Sequence, residues 1–263
     1  VTPDGHSPHR HADPGANGRS ARTEPLSAPP DPLARLTIVI PTLDAAAHLT
    51  RGLASLRAAD GALAAAVLIV DGGSRDATFD VATRLGARTS TAPRGRGNQL
   101  TAGGRAALAD PDCDWLLFLH ADTALSPGWQ EVVTRFITDP ANRSRAAVFR
   151  FALDDDSPQA RRLTAMVDWR VRRLALPYGD QGLLIHRDLY ADLGGHRPLP
   201  LMEDVDIIRR IGRSRLTVLD ASAITSAERW RREGWWWRSS RNVACLALYY
   251  LGVPPRLIKK LYG

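Results

Sequence analysis

Trp115-Leu116-Leu117-Phe118-Leu119-His120-Ala121-Asp122-Thr123 is the stretch whose reading decides the fold class. Its five consecutive apolar residues are too few for a helix of ordinary length and read as a strand buried on both faces. The run ends in His-Ala-Asp, so one carboxylate, Asp122, is delivered at the carboxyl end of a core strand. In open α/β sheets that edge is where ligands bind. An Asp on a rigid strand tip can hold a divalent cation, and the cation can hold a diphosphate. The plainer alternative is an Asp122 that caps a turn, with Thr123 and Pro127 as turn residues.

Upstream, the β-branched run Leu36 to Ile40 is halted by Pro41 and reads as a strand. A helix is expected over Ala45–Ala58, with Asp44 as its N-cap. Val67 to Val70 reads as a second strand ending in Asp71-Gly72-Gly73, and a helix is expected over Asp76–Leu85. A weak strand over Arg88–Thr91 leads to the Gly-rich Arg94 to Gly97 and a helix to about Ala109. Strands and helices alternating at this rhythm indicate a parallel sheet of α/β type.

Downstream, a strand is expected over Ala146–Leu153 and an amphipathic helix over Pro158–Leu174. Pro177 to Gly182 reads as a loop feeding the strand Leu183 to Ile185. A helix over Glu203–Ile211 turns Ile207, Ile208 and Ile211 inward, and a strand follows over Arg215–Asp220. Residues 1–34 are rich in Pro, Gly, Ser and His without apolar period and read as a disordered leader. They lack the apolar core of a signal peptide, and His6, His9 and His11 read as solvated tail residues.

The 263 residues, 44% hydrophobic and 24% charged, suit an ordinary globular protein. Cys113 and Cys245 lie far apart in no metal-binding spacing, which points to a reducing, cytoplasmic compartment. The net charge of +7 is concentrated from Ser226 onward, where eight basic residues face two acidic ones. A basic segment rich in Trp and Leu suits an anionic membrane surface better than a nucleic-acid groove. Its apolar stretch Val243 to Val253 is too short to cross a bilayer, which needs about 20 residues. A membrane-surface helix on the inner face, a helix packed on the domain and a dimer contact are the three readings of this tail.

Asp44, Asp71, Asp122 and Asp204 all fall at strand ends or loop junctions. Three strand-to-helix junctions that each supply a carboxylate to one sheet edge suit a nucleotide, whose ribose hydroxyls and base N–H groups are donors. Arg94-Gly95-Arg96-Gly97 adds a flexible backbone and guanidinium forks for phosphate.

In this order the pattern resembles the family 2 glycosyltransferases, which have the GT-A nucleotide-diphospho-sugar transferase fold. The stretches that carry the likeness are Thr37 to Asp44, Val70 to Asp76, Leu117 to Thr123 and Met202 to Asp206. Arg94 to Gln99 and Tyr178 to Gly182 look like a compact bacterial subgroup of that family. The resemblance implies one GT-A domain over residues 35–225, with a mostly parallel central sheet flanked by helices, and a basic, Trp-rich helical tail over 226–263.

It also implies roles for particular residues. Thr42, Asp44, Asp71, Arg94, Arg96, Gln99 and His120 would contact the nucleotide. Asp122 matches the last Asp of the family's Asp-x-Asp metal motif, which holds Mg²⁺ or Mn²⁺, and His120 stands where the first Asp is usual. Asp204 matches the catalytic base, with Glu203 beside it. Asp180 and Gln181 fall near donor sugar or acceptor. Ser226 to Trp230 is similar to the Gln-x-x-Arg-Trp motif of processive members with its Gln replaced, leaving Arg229 and Trp230 as substrate contacts. The expected activity is inverting transfer from a UDP- or GDP-sugar to an acceptor hydroxyl, with a lipid-linked acceptor suiting the tail. Two other classes stay open: a nucleotidyltransferase that forms the nucleotide sugar, and a non-catalytic sugar- or lipid-binding module. The first expects a Gly-rich, Lys-containing loop after the first strand, where this chain has Pro41-Thr42-Leu43-Asp44.

Overall fold

Alternation of buried side chains along the first strands fixes the architecture. In the computed structural model, which describes residues 31–262, β1 (Leu36–Thr42) turns Ile38 and Ile40 into one core and Val39 into another. In β4 (Trp115–Phe118), Leu117 joins the first core while Leu116 and Phe118 join the second. Both faces of the sheet are therefore covered, as the uninterrupted apolar run requires.

The remaining strands are β2 (Ala66–Asp71), β3 (Arg88–Thr91), β5 (Thr123–Leu125), β6 (Ala146–Leu153), β7 (Leu183–His186) and β8 (Leu216–Thr225). They form one sheet in the order β3-β2-β1-β4-β7-β6-β8-β5. The block β3-β2-β1-β4 is parallel throughout, β7 joins β4 and β6 antiparallel, and β8 pairs parallel with β6 and antiparallel with β5. The helices are α1 (Ala46–Ser55), α2 (Thr78–Arg84), α3 (Arg96–Ala109), α4 (Trp129–Ile137), α5 (Pro158–Leu174), α6 (Arg187–Asp192) and α7 (Glu203–Ile211), followed by α8 (Glu228–Glu233), α9 (Trp235–Tyr250) and α10 (Pro255–Tyr262).

Several sequence expectations need correction. The leader, including His6, His9 and His11, lies outside the described residues up to Pro30, but Pro32–Arg35 forms a 3-10 turn that buries Leu33. Asp44 does not cap α1. Its backbone sits in the left-handed region at φ +49°, and the N–H of Ala46 donates instead to Asp76 at 3.0 Å. The apolar run leaves the sheet at Phe118 and reaches Asp122 through a turn, after which β5 restarts at the far edge. α4 and α6 lie where the sequence announces no helix, and β8 runs to Thr225, five residues past the expected end.

α3 lies close over the loop that precedes α7. A Cβ at Gly97 would meet the backbone of Leu199, with its nitrogen 2.7 Å away. Gly97→Ala is therefore expected to destabilise the protein by about 1–3 kcal/mol, since backbone cannot yield as a side chain can. Thermal unfolding should register this as a melting temperature about 2–4 °C lower per kcal/mol.

The C-terminal helices pack against the domain through one face. Cys245 and Ile258 are buried, and Leu246 and Tyr249 lie on the core that contains Val39. Trp236 at 78% and Leu251 at 80% stay exposed. Among the described residues no helix is long and apolar enough to cross a membrane. Cys113 and Cys245 are both free and buried.

Candidate active site

The loops after β1 and β2 brace each other. Asp44 N–H donates to Ser74 Oγ at 2.9 Å, and Arg75 N–H donates to Asp44 Oδ1 at 2.8 Å. Gln99, on α3, ties the same two strand ends together by donating from Nε2 to Thr42 O (2.6 Å) and Val70 O (2.8 Å). Asp71 is consumed inside this frame: it accepts from Gly73 N–H and Ser74 N–H at 2.8 Å and from Thr42 Oγ1 at 3.0 Å. Burial pushes its carboxyl up, but hydrogen bonds from Ser74, Gly73 and Thr42 outweigh that and hold it below the usual range. Asp71 shapes the pocket from behind and does not line it.

A cavity of about 490 Å³ opens beside this frame, and its walls include Thr42, Asp44, Arg94, Arg96, Gln99 and Asp122. The C-terminal helices add Arg229, Arg232 and Lys259 to the same wall. Arg94, Arg96, Arg229, Arg232 and Lys259 face Asp44, Asp122 and Glu228 around this cavity, so its wall carries a net positive charge.

A second cavity, about 140 Å³, shares Arg96, His120, Asp122 and Arg229 with the first. Asp180, Asp204 and Trp230 complete much of it. Asp122 and Asp204, 82 positions apart in sequence, thus line one space. Asp204 comes in on the first turn of α7, where a carboxylate is favoured by the helix dipole. Its Oδ2 accepts from Gly179 N–H at 2.9 Å and its Oδ1 from Val205 N–H at 2.8 Å. Burial raises its carboxyl, but Arg96 and these two amides outweigh burial and bring it below the usual range. Met202, just before it, holds a left-handed backbone at φ +65°, the kind of strain that clusters at functional sites.

Arg96 is the hub between the two cavities. Its guanidinium is ion-paired to Glu203, reaches Asp204 at 3.9 Å and lies 3.3 Å from His120 Nε2. Glu203 is 1% exposed and faces neither cavity, so it positions Arg96 and cannot itself touch a substrate there. Burial first, and then the charge of Arg96, push His120 down to about 4, leaving a neutral imidazole. Gln181 is buried and donates to Phe149 O at 2.9 Å, so it fixes the loop that carries Asp180. Arg232, Lys259, Arg238 and Asn242 also line these cavities; in the sequence the three cations belong to the basic tail, and Asn242 carries no signal.

The Glycosyl transferase family 2 profile matches residues 37–187, more than half of the chain. The chain is a family 2 glycosyltransferase. Among solved structures, S. aureus TarS 1-349 is 16% identical over 81% of this glycosyltransferase and 65% of that chain, with a TM-score of 0.55. Mannosyltransferase PcManGT from Pyrobaculum calidifontis, in complex with GDP-Man and Mn²⁺, is 17% identical over 85% of this chain and 65% of its own, with a TM-score of 0.54. GalNAc-T7 with UDP, GalNAc and Mn²⁺ is 16% identical over 74% of this chain and 44% of its own, with a TM-score of 0.53. The family 2 chain thus spans less than two thirds of the length of each. Comparison with curated protein sequences gives no match.

Proposed function

We propose that this glycosyltransferase moves a sugar from a nucleoside diphosphate donor to an acceptor hydroxyl with inversion, Asp204 acting as general base. The observation that carries the reading is the shared cavity of Asp122 and Asp204, continuous through Arg96 with a cation-lined space large enough for a nucleotide. Neighbours of the same fold hold UDP, UDP-GlcNAc and GDP-Man, which supports a UDP- or GDP-sugar donor.

An acceptor hydroxyl is a poor nucleophile at neutral pH, so a placed carboxylate must take its proton as the new bond forms. Asp204 accepts that proton while the acceptor oxygen bonds to the anomeric carbon and the carbon–oxygen bond to the diphosphate breaks. The pair leaves with the nucleoside diphosphate, whose charge falls among Arg94, Arg96, Arg229 and Lys259. One displacement inverts the anomeric centre.

Among the described residues no group of three or more His, Cys, Asp or Glu could hold a metal ion. The single carboxylate of Asp122, on the wall common to both cavities, fits a cation of the Mg²⁺ kind, which takes one or two protein carboxylates and completes its shell with phosphate oxygens and water. Asp122 would hold it, with the neutral His120 imidazole beside it, and it would supply Lewis-acid stabilisation of the leaving diphosphate. The intact carboxylates of the shared cavity speak against a non-catalytic binding module.

A thermal-shift screen of nucleoside diphosphates and their sugars, with and without Mn²⁺, tests the reading. A ligand at 100 times its Kd should add about 2.7 kcal/mol of stability and raise the melting temperature measurably. No shift with any nucleotide would overturn the donor assignment.

For the tail, exposed Trp236, Trp237 and Leu261, with Lys260 next to Leu261 in the chain, support peripheral contact with an anionic membrane. Co-sedimentation with phosphatidylserine vesicles is expected at low salt and should fall as ionic strength rises. Absence of binding at low salt would leave only the packed-helix role.

A further inference from the structure

The smaller cavity does not end at Asp204. Tyr178, Asp180, Trp230 and Asn242 line it and also line a narrower space of about 40 Å³ between α5 and α9. Leu163, Met166 and Ser239 of that space line in turn an apolar groove of about 120 Å³ that opens beside Trp235 and the exposed Trp236. A path walled by α5 and α9 thus runs from the base to an exposed apolar face, where Trp169 and Met166 also stand free.

The two ends of the path differ in chemistry. At the inner end, Asp180 Oδ1 and Asn242 Oδ1 are buried with no hydrogen-bond partner in the protein. Both are acceptors, while Arg170 Nη2 in the same space is a donor that is also buried without a partner, so the ligand must both donate and accept, as a hydroxyl does. A phosphate head meets Asp122, Asp180 and Asp204 in this space; of the cations there, Arg96 and Arg238 are engaged by Glu203 and Glu233, which leaves Arg229 and Arg170 against three carboxylates. The outer end offers Leu163, Met166 and Trp236, which suit a hydrocarbon.

We infer that the acceptor is a hydroxyl-headed amphiphile, its sugar or polyol head at Asp180 and Asn242 and its aliphatic chain in the groove between α5 and α9. This rests on the reading of Asp204 as the base that faces the acceptor. The head meets Asp204 from the side opposite the cation-lined cavity, and the chain leaves towards the exposed Trp236.

Calorimetry of the full chain with n-hexyl and n-octyl β-D-glucoside, both below their micelle concentrations, tests the inference, with glucose and n-octyl phosphate as controls. Each methylene that enters the groove tightens binding by about fourfold, so octyl, two methylenes longer, should exceed hexyl by about sixteenfold and glucose by more. Met166→Glu, at a position already 44% exposed, should weaken the octyl glucoside about tenfold and leave glucose unchanged. Asn242→Leu should abolish the preference for glucoside over phosphate. Affinity independent of chain length, a tighter octyl phosphate, or an unaffected Met166→Glu variant would each overturn the inference. UDP binding with Mn²⁺ is measured on the same samples. Failure of UDP to bind sinks the donor assignment, whereas failure of the glucosides with UDP bound sinks the amphiphile alone.

Discussion

Asp204→Asn is expected to lower kcat for sugar transfer by about 10²- to 10⁴-fold while leaving nucleoside diphosphate affinity within about twofold. The amide keeps the size of the carboxylate and can still accept from Gly179 N–H, which Asp204 engages at 2.9 Å. What it loses is the proton affinity the acceptor hydroxyl needs. Arg96 does not go astray, because its stronger partner is the buried Glu203. A drop in kcat with an unchanged nucleotide Kd therefore separates a lost base from a damaged pocket. Glu203→Gln provides the contrast. It frees Arg96, so it should weaken nucleotide binding and transfer together, as a positioning residue does. The pH profile adds a second reading. Arg96 and the two amides hold Asp204 below the usual carboxylate range, so the base stays ionised through neutral pH and any acid limb near 6 has another owner. A variant within threefold of the parent kcat would refute the assignment of Asp204.

Periodicity made the parallel half of the fold legible, and the antiparallel half much less so. Val67 to Val70 is apolar at every position, and Leu36 to Ile40 at all but Thr37, because helices cover both faces; a strand with one solvated face would alternate instead. β5 is three residues long and pairs with β8 at the edge of the sheet, four strands over from the central β4, a relation that no local pattern encodes. α4 went unseen because the Trp129 to Ile137 stretch follows so closely on the strand motif that drew the reading of Asp122. For the site, residues within short motifs at strand ends and loop junctions were found: Asp122, Asp180, Asp204 and Arg96 all line the expected spaces. Asp71 does not line the cavity, since a carboxylate before Gly-Gly serves equally well as the acceptor that closes its own turn. Lys259 and Asn242 were invisible, because charge and polarity in a tail say nothing about which side of the helix meets the domain. Only folding back over more than 130 residues brings Lys259 to the cavity that contains Asp122.

Asp180→Asn should make the protein more stable and less active at once. Burial drives the Asp180 carboxyl up to about 6, the charges of Asp204 and Asp122 push the same way, and Arg170 only partly opposes them. The unfolded chain ionises this group near the ordinary value of about 4. Between pH about 4 and 6 the unfolded state therefore releases a proton that the folded state keeps, and the folded protein loses stability as pH rises through that window. Above about 6 both states are ionised and the penalty is constant, at most about 3 kcal/mol. Asn carries no such penalty, so the variant's melting temperature at pH 7.5 should exceed the parent's by about 2–4 °C per kcal/mol recovered. The difference should shrink to nothing by about pH 3, below the ionisation of Asp180 in either state. Activity should move the other way. Oδ1 of Asp180 is buried without a partner, a cost the fold tolerates only if something else uses the charge. Replacing an ionised acceptor with a neutral one weakens a hydroxyl's hydrogen bond, so kcat/KM for the acceptor should fall by about tenfold or more. The parent's kcat/KM should also decline below pH 6, and that limb should be absent in the variant. Equal melting temperatures at pH 7.5, or a gain that persists at about pH 3, would show that the carboxylate is not held under this strain. A variant that gained stability with no loss of kcat/KM would remove Asp180 from the acceptor's contacts.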